Sequence, residues 1–92
     1  MIKLDRKVHI RKNVLWKTID EEIILLNLEN SEYFTINHTG TKILEFSNKD
    51  QRTVEEISSL LAEELRIPIE TAQRDTQKFF NILLKYKLVE VT

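Results

Sequence analysis

The side chains that most often carry catalysis are scarce in this sequence. There is no cysteine, which excludes a thiolate nucleophile, a thiolate metal site and a disulfide frame. The two histidines, His9 and His38, lie in different predicted elements and have no acidic residue beside them at metal-ligand spacing. The single glycine, Gly40, leaves no glycine-rich loop that could cradle a phosphate or a dinucleotide.

The acidic pairs of the chain do not form an acid/base site either. Neighbouring side chains diverge on a helix or a strand, so adjacent carboxylates are expected to be solvated separately rather than to share a substrate. We therefore predict no catalytic residue, no metal site and no cofactor, and a binding protein rather than an enzyme. The pairs are Glu21–Glu22, Glu55–Glu56 and Glu63–Glu64.

The chain is long enough for one small domain, which we assign to residues 1–92. Its net charge of −1 hides a segregated layout, because six of the seven charged residues in 1–17 are basic and six of the seven in 18–46 are acidic. Either these are two solvated faces that attract each other, or the basic stretch is an arm that meets a partner. The longest apolar run, residues 23–26, cannot span a bilayer, and the N-terminus lacks a signal-peptide stretch, so we expect a soluble cytoplasmic protein without a membrane partner.

The N-terminal half shows the alternation of short strands. Residues 8–17 alternate apolar and charged side chains, which predicts one or two strands with an interruption at Asn13. Residues 22–28 and 32–36 are rich in strand-forming residues, and the turn signal Asn30–Ser31 joins them into a hairpin.

Both faces of this hairpin are partly apolar. A two-residue loop would place Leu28 opposite Tyr33 and Leu25 opposite Ile36, whereas a slip of one residue would exchange these partners. One apolar face suffices to pack against helices. The second face could be covered by the N-terminal segment, or it could mediate a structural dimer.

The C-terminal half changes to helical periodicity, with Thr53 and Glu56 forming a capping box and Pro68 separating the last two helices. We predict an α+β fold with a three-stranded antiparallel sheet followed by three helices, similar to a winged helix. The predicted segments are a first helix from Asn37 or Thr39 to about Phe46, a loop over 47–52, a second helix from Thr53 to Leu65, a last helix from Ile69 or Glu70 to Tyr86, and an extended tail over 88–91.

The last helix has an apolar arc of roughly 200°, which is wide for a helix of a small domain. Phe80 and Leu84 extend the central stripe on one side, and Ile82 extends it on the other, near Asp75. Either both flanks belong to the core, or one of them is offered to a ligand. The central stripe consists of Ala72, Thr76, Phe79, Leu83 and Tyr86.

The run from Ile24 to Gly40, continued by Ile43 and Leu44, resembles the PqqD-like family. These proteins are also called recognition elements for RiPPs, peptides that are made by ribosomes and then modified. Residues 53–57 resemble the start of the family's second helix, and Asp75, Phe79, Phe80, Leu83, Leu88 and Val89 resemble its third helix and exit. The family's glycines in the hairpin turn and before the final Leu-Val are replaced by Ser31 and Lys87.

The resemblance implies that the chain binds the leader of a precursor peptide, which adds as a strand to the third strand and packs on the third helix. The implied partners are this leader and a modifying enzyme or leader peptidase. The stretch 33–40 is most similar to the stand-alone leader binders of lasso-peptide clusters; a pyrroloquinoline quinone or sactipeptide pathway, with a radical-SAM enzyme, is the alternative. Carried over by position, the binding residues are Glu32, Tyr33, Phe34, Thr35, Ile36, Asp75, Lys78, Phe79 and Ile82.

A DNA-binding regulator is the remaining hypothesis, because the last two helices have helix-turn-helix spacing. The last helix has a net positive charge, and its polar side carries side chains that could reach bases: Gln73, Arg74, Gln77 and Asn81. The acidic residues of the preceding helix would repel phosphate, so nucleic acid is not the expected partner.

Overall fold

The computed structural model describes residues 2–92, without the side chains of residues 49 and 50. Within this range no helix is long and apolar enough to cross a membrane. The fold is α+β, as predicted. In chain order the elements are β1 (Val8–Ile10), β2 (Val14–Ile19), β3 (Glu22–Asn27), β4 (Tyr33–Thr35), α1 (His38–Asp50), α2 (Val54–Leu65), α3 (Ile69–Lys85) and β5 (Val89–Val91).

The central sheet is three-stranded and antiparallel, with the order β2-β3-β4. Ile23 and Leu25 of β3 are fully buried against the helices, so one face of this sheet belongs to the core. The predicted interruption near Asn13 is real, because the Val14 N–H donates to the Arg11 carbonyl and separates β1 from β2.

The predicted tail is more than an extended exit. It forms β5, which pairs with β1 in a second, two-stranded antiparallel sheet with Val8 opposite Val91. The sequence pattern around residue 90 gives no sign of a partner more than eighty residues away. The N-terminal segment is therefore engaged with β5 and the helices, and it does not cover the second face of the central sheet.

That second face is open to solvent. Leu15 of β2 is 56% exposed and Leu28, just after β3, is 53% exposed. In register they lie on the same side of the sheet as Ile24, Leu26 and Tyr33. The expectation that the N-terminal segment covers this face is thus wrong.

The hairpin register differs from the predicted one by two residues. Tyr33 lies opposite Leu26 rather than Leu28, and Leu25 lies opposite Phe34 rather than Ile36. The cause is a longer loop, in which the Asn27 side chain accepts from the Glu29 N–H and the strand pairing resumes with the Asn27 N–H donating to the Glu32 carbonyl. A shift of two residues keeps every side chain on its predicted face.

The first helix does not end at Phe46 as predicted but continues to Asp50, through most of the predicted loop over 47–52. Its N-cap is Asn37, whose side chain accepts from the Gly40 N–H at 2.8 Å. Ser47 remains helical and buried because its hydroxyl donates to the Val8 carbonyl at 2.7 Å. A polar residue with a buried partner thus looks like a loop residue in the sequence.

The capping box at the start of α2 is confirmed. The Glu56 N–H donates to the Thr53 hydroxyl at 3.2 Å, and the Thr53 N–H donates to the Glu56 carboxylate at 2.8 Å. The bond from the Thr53 backbone is the main reason why the pKa of Glu56 is lowered from its ordinary value.

The last helix has one buried side and one exposed apolar flank, as the second interpretation of its pattern requires. The buried side is centred closer to Phe80 than to Phe79, and it consists of Ala72, Thr76, Phe80 and Leu83. Phe79 is half-buried, while Ile82 is 47% and Tyr86 49% exposed. These side chains form a flank that the domain's own core does not use.

Ser31 and Lys87, the two residues that replace glycines of the resembling family, both adopt left-handed backbone conformations, with φ of 61° and 58°. Lys87 follows the cap of α3 in a Schellman motif, in which the Leu88 N–H donates to the Leu83 carbonyl and the Lys87 N–H to the Leu84 carbonyl. A side chain at this conformation carries a steric cost that glycine avoids.

We expect Lys87→Gly to raise the free energy of unfolding by about 1 kcal/mol, because glycine adopts the left-handed conformation at the helix end without the steric cost of a side chain. Lys85→Gly is the matched control two residues earlier, where the backbone is helical and glycine should instead cost about 1 kcal/mol. Urea unfolding of the two variants measures both changes. If both variants lowered the free energy of unfolding, the conformation of residue 87 would carry no strain.

Candidate peptide-binding site

The fourth strand, β4, is an edge of the central sheet, since β3 is the only strand among residues 2–92 that pairs with it. In an antiparallel pair the main-chain groups of successive residues point alternately toward the partner strand and away from it. The Ile36 N–H donates to the Ile23 carbonyl, and the Glu32 carbonyl accepts from the Asn27 N–H. Residues 32, 34 and 36 therefore face β3.

It follows that Tyr33 and Thr35 direct their N–H and carbonyl groups away from β3, toward the open edge. Together they offer two donors and two acceptors in the spacing of a strand. An extended peptide that adds at this edge could satisfy all four groups, which is the recognition mode known as strand addition.

The exposed flank of α3 runs beside this edge. In the middle of β4 the ring of Phe34 lies 5.2 Å from the ring of Tyr86, measured between centroids. Just after β4, Gly40, the third residue of α1, closely approaches Phe79 and Ile36. A Cβ on Gly40 would lie 2.6 Å from Phe79 Cε1 and 2.7 Å from Ile36 Cγ2. As the chain advances from Phe34 to Ile36, the neighbouring residue of α3 changes from Tyr86 to Phe79, so α3 runs antiparallel to β4.

An open groove of about 330 Å³ lies between the start of α1 and this flank. Its floor is apolar, from Phe79, Ile82 and Ile43, and its rim carries the exposed side chains of Asp75 and Lys78. Throughout the described part of the chain, the side chain of Asp75 makes no hydrogen bond or ion pair. Its carboxylate is thus available to a ligand and does not tie α3 to a neighbouring loop.

The predicted binding residues divide into three groups. Asp75, Lys78, Phe79 and Ile82 all line the groove. Tyr33 and Thr35 present their main chain at the open edge, and their side chains lie on the opposite sheet face from the groove.

The other three predicted residues support the site from beside it. Phe34 is half-buried against Tyr86, and Ile36 is buried beneath Gly40. The Glu32 carboxylate accepts from the Asn30 amide at 2.8 Å, and the Glu32 N–H donates to the Asn30 side chain, so Glu32 organises the hairpin loop.

Sequence reasoning missed the contribution of α1 to the groove. Asn37, Thr39 and Gly40 line it from the first turn of that helix. One signal was present, because Gly40 is the single glycine of the chain and stands inside a helix, where glycine is unfavourable unless space is short. The sequence places Tyr86 in an apolar stripe of α3, but its contact with Phe34 cannot be predicted from spacing.

Among the residues that the structure describes, no three His, Asp or Glu side chains lie close enough to hold a metal ion. The site consists of main-chain hydrogen-bonding groups, an apolar floor and one charge of each sign. These features suit a polypeptide in extended conformation, and they define a small peptide-docking domain.

Comparison with known proteins identifies the family to which the chain belongs. The family profile described as Coenzyme PQQ synthesis protein D (PqqD) matches residues 22–89, and the chain belongs to this family. A search of the curated proteins gave no significant match.

Two solved structures are similar to this chain. The first, "TbiB1 in Complex with the TbiA(beta) Leader Peptide", is 30% identical, with a TM-score of 0.82 over 88% of this chain and 93% of that chain. The second, "Lasso peptide synthetase B1 complexed with the leader peptide", is 19% identical, with a TM-score of 0.83 over 91% of this chain and 98% of that chain, and it supports the fold.

Gly40→Ala tests the close contact that shapes the groove. Alanine normally stabilises a helix by about 1 kcal/mol relative to glycine, but here its methyl group would collide with Phe79 and Ile36. We expect a net loss of about 1–3 kcal/mol in the free energy of unfolding. Combining it with Phe79→Leu, which withdraws the ring, should restore part of the loss.

Asn48→Ala, at an exposed position of the same helix, is the control and should not destabilise the protein. Both substitutions are measured by chemical unfolding. A Gly40→Ala protein as stable as Asn48→Ala would show that Phe79 moves aside without cost.

Proposed function

We propose that this protein binds the leader of a ribosomally made precursor peptide and presents the precursor to a modifying enzyme or leader peptidase. Residues 1–92 act as one peptide-binding domain, and the chain binds rather than catalyses. The observation that carries the proposal is the position of the free main-chain groups of Tyr33 and Thr35, directly beside the apolar flank of α3.

The leader binds as a fourth strand of the central sheet. Four main-chain hydrogen bonds to Tyr33 and Thr35 give affinity that depends little on sequence. Because side chains alternate along a strand, every second leader residue points toward the groove between α1 and α3. An apolar leader side chain there covers Phe79 and Ile82, and Asp75 and Lys78 select the charges on either side of it.

The comparisons support a lasso-peptide pathway for this binder. Both similar structures hold a leader peptide, and one of them is named as a lasso peptide synthetase B1. A lasso pathway supplies a leader peptidase as the partner. A radical-SAM enzyme of a pyrroloquinoline quinone or sactipeptide pathway is the alternative, and we place the protein in the cytoplasm, where ribosomes release the precursor.

The arrangement of α2 and α3 does not favour a DNA-binding role. Four carboxylates of α2, the helix that precedes α3, are exposed and would oppose the phosphates of a duplex. They are Glu55, Glu56, Glu63 and Glu64.

Thr35→Pro tests the strand addition. Proline removes the N–H that faces the open edge and places its ring there, while the hydrogen bonds from β4 to β3 remain. We expect the affinity for the leader to fall by about tenfold or more, because one hydrogen bond is lost and the edge is blocked. Fluorescence anisotropy with a labelled precursor peptide from the same gene neighbourhood measures the change.

Thr18→Pro is the control, because it makes the same substitution at the opposite edge of the same sheet. This variant should bind the leader as the unmodified protein does. Retained affinity in folded Thr35→Pro would place the leader elsewhere, and no binding of any neighbouring short peptide by the unmodified protein would refute the function.

Asp75→Asn tests the carboxylate on the groove rim. Since Asp75 has no partner within the described residues, its loss should leave the melting temperature unchanged. We expect the leader affinity to fall by about threefold to tenfold through the loss of a charge-assisted hydrogen bond. Glu70→Gln, an exposed carboxylate of the same helix outside the groove, is the matched control, and equal affinities of the two variants would remove Asp75 from the site.

A further inference from the structure

The central sheet has a second open edge, at β2. This strand is six residues long, twice the length of β4, and its sequence Val-Leu-Trp-Lys-Thr-Ile contains one charge and no proline. Proteins usually protect such an edge with several charges, a proline, a bulge or a covering element, since it is a template for pairing with another strand. Here Lys17 is the only charge on the strand.

The main-chain groups on this edge can be assigned from the pairing with β3. Leu28 donates to the Asn13 carbonyl, so the odd-numbered residues of β2 face β3 and the even-numbered ones face outward. Trp16 and Thr18 therefore point both main-chain groups at the open edge. Val14 offers its carbonyl, since its N–H already donates to Arg11.

A slot of about 500 Å³ lies directly under the same edge. Trp16 and Thr18 form its upper wall, and α1 with the following residues forms the lower wall through Phe46 and Arg52. The Arg52 guanidinium lies 5.9 Å from the centroid of the Phe46 ring. Trp16 is 45% exposed beside this slot, so the edge combines free hydrogen-bonding groups with an uncovered aromatic side chain.

We propose that a second copy of this chain pairs with the β2 edge, β2 against β2 and antiparallel, so that two central sheets join into one. A two-fold axis perpendicular to the sheet keeps the helices of both copies on the same face, which requires residues of equal parity to lie opposite each other. The axis then passes either between the two Trp16 residues or between the two Lys17 residues.

Charge selects between these two registers. With the axis at Lys17, two ammonium groups lie directly opposite each other, which is unfavourable on a sheet. With the axis at Trp16, each Lys17 lies opposite the other copy's Leu15, and the two Lys17 Cα atoms are roughly 8 Å apart. Both registers form four hydrogen bonds, so the one centred on Trp16 is preferred.

The preferred register also explains why the occupant is a second copy. Two hydrogen bonds join the Trp16 residues, and one more at each end joins a Thr18 N–H to a Val14 carbonyl. The Val14 N–H, which already donates to the Arg11 carbonyl, takes part in none of these four bonds. The two indoles lie side by side on the helix face, where each extends the wall of the other copy's slot. One surface thus pairs the main-chain groups of Trp16, the Thr18 N–H and the Val14 carbonyl with their own copies, and it covers its own exposed tryptophan.

The contact is small, because it consists of one strand edge and one slot from each copy. An interface below the standard size is expected to be weak, with a dissociation constant of about 10–100 µM. Sedimentation equilibrium from about 1 µM to about 1 mM should therefore show a reversible monomer–dimer transition. A monomer throughout this range would overturn the proposal.

Two variants identify the surface. Trp16→Lys brings two charges together on the axis, and Thr18→Pro removes an outward N–H; each should raise the dissociation constant about tenfold or more. Leu28→Lys places a charge at a comparably exposed apolar residue away from this edge and should leave dimerisation unchanged. A dimer that Leu28→Lys abolishes, or that both β2 variants retain, would place the contact elsewhere and refute the proposal.

A single introduced thiol reports the register, since the chain has no cysteine of its own. Opposed Cα atoms of a hydrogen-bonded pair lie about 5.5 Å apart, so Trp16→Cys should link into a covalent dimer with a short bis-maleimide. Leu28→Cys should remain monomeric under the same conditions. Leader binding by Thr18→Pro separates this proposal from the proposed function, because the two edges are tested independently.

Discussion

The close approach of α1 to α3 at Gly40 is the contact on which the geometry of the site depends. The absence of a side chain at this position lets the first turn of α1 rest on Phe79 and Ile36. Three elements meet there: the end of β4, the start of α1 and the middle of α3. A bulkier residue would push α3 away from the sheet edge, and the groove would lose its apolar floor. The distance between strand and helix at this point is therefore set by the packing around Gly40.

The site also depends on the alternation of β4. Its even-numbered residues bind β3, and their side chains, Phe34 and Ile36, pack against the helices. Its odd-numbered residues are left with free main-chain groups and exposed side chains, and Tyr33 is 71% exposed. The three residues of β4 and the Ile36 that follows thus divide the side chains that pack in the domain from the main-chain groups that remain open, where we propose that the leader binds. A longer β4 would offer more hydrogen bonds to a peptide, but also to unwanted strands.

Local features of this fold could be predicted from the sequence because their partners are close in the chain. Thr53 and Glu56 lie one helical turn apart, and the sheet faces of the hairpin follow from parity alone. The register could not be predicted, since it depends on the side chain of Asn27 closing a longer loop. Ser47 and β5 were misjudged because their partners, Val8 and β1, are distant in sequence. In the site, the flank of α3 could be predicted from its wide arc, whereas the share of α1 depends on a tertiary contact.

The exposed apolar surface has a thermodynamic meaning for so small a domain. Folding buries only about 60–65% of the surface of a chain this short, so every apolar side chain kept out of the core reduces a narrow stability margin. Ile82 and Tyr86 remain half-exposed on α3 although the same helix buries Phe80 and Leu83 completely or nearly so. A peptide that bound this flank, as we propose, would bind only the folded state, and it would therefore stabilise that state by mass action, by about 2.7 kcal/mol at a hundredfold excess over Kd. The exposed groove lowers the free energy of unfolding of the free domain, and a peptide in the groove would raise it again, so the bound domain would be the more stable of the two.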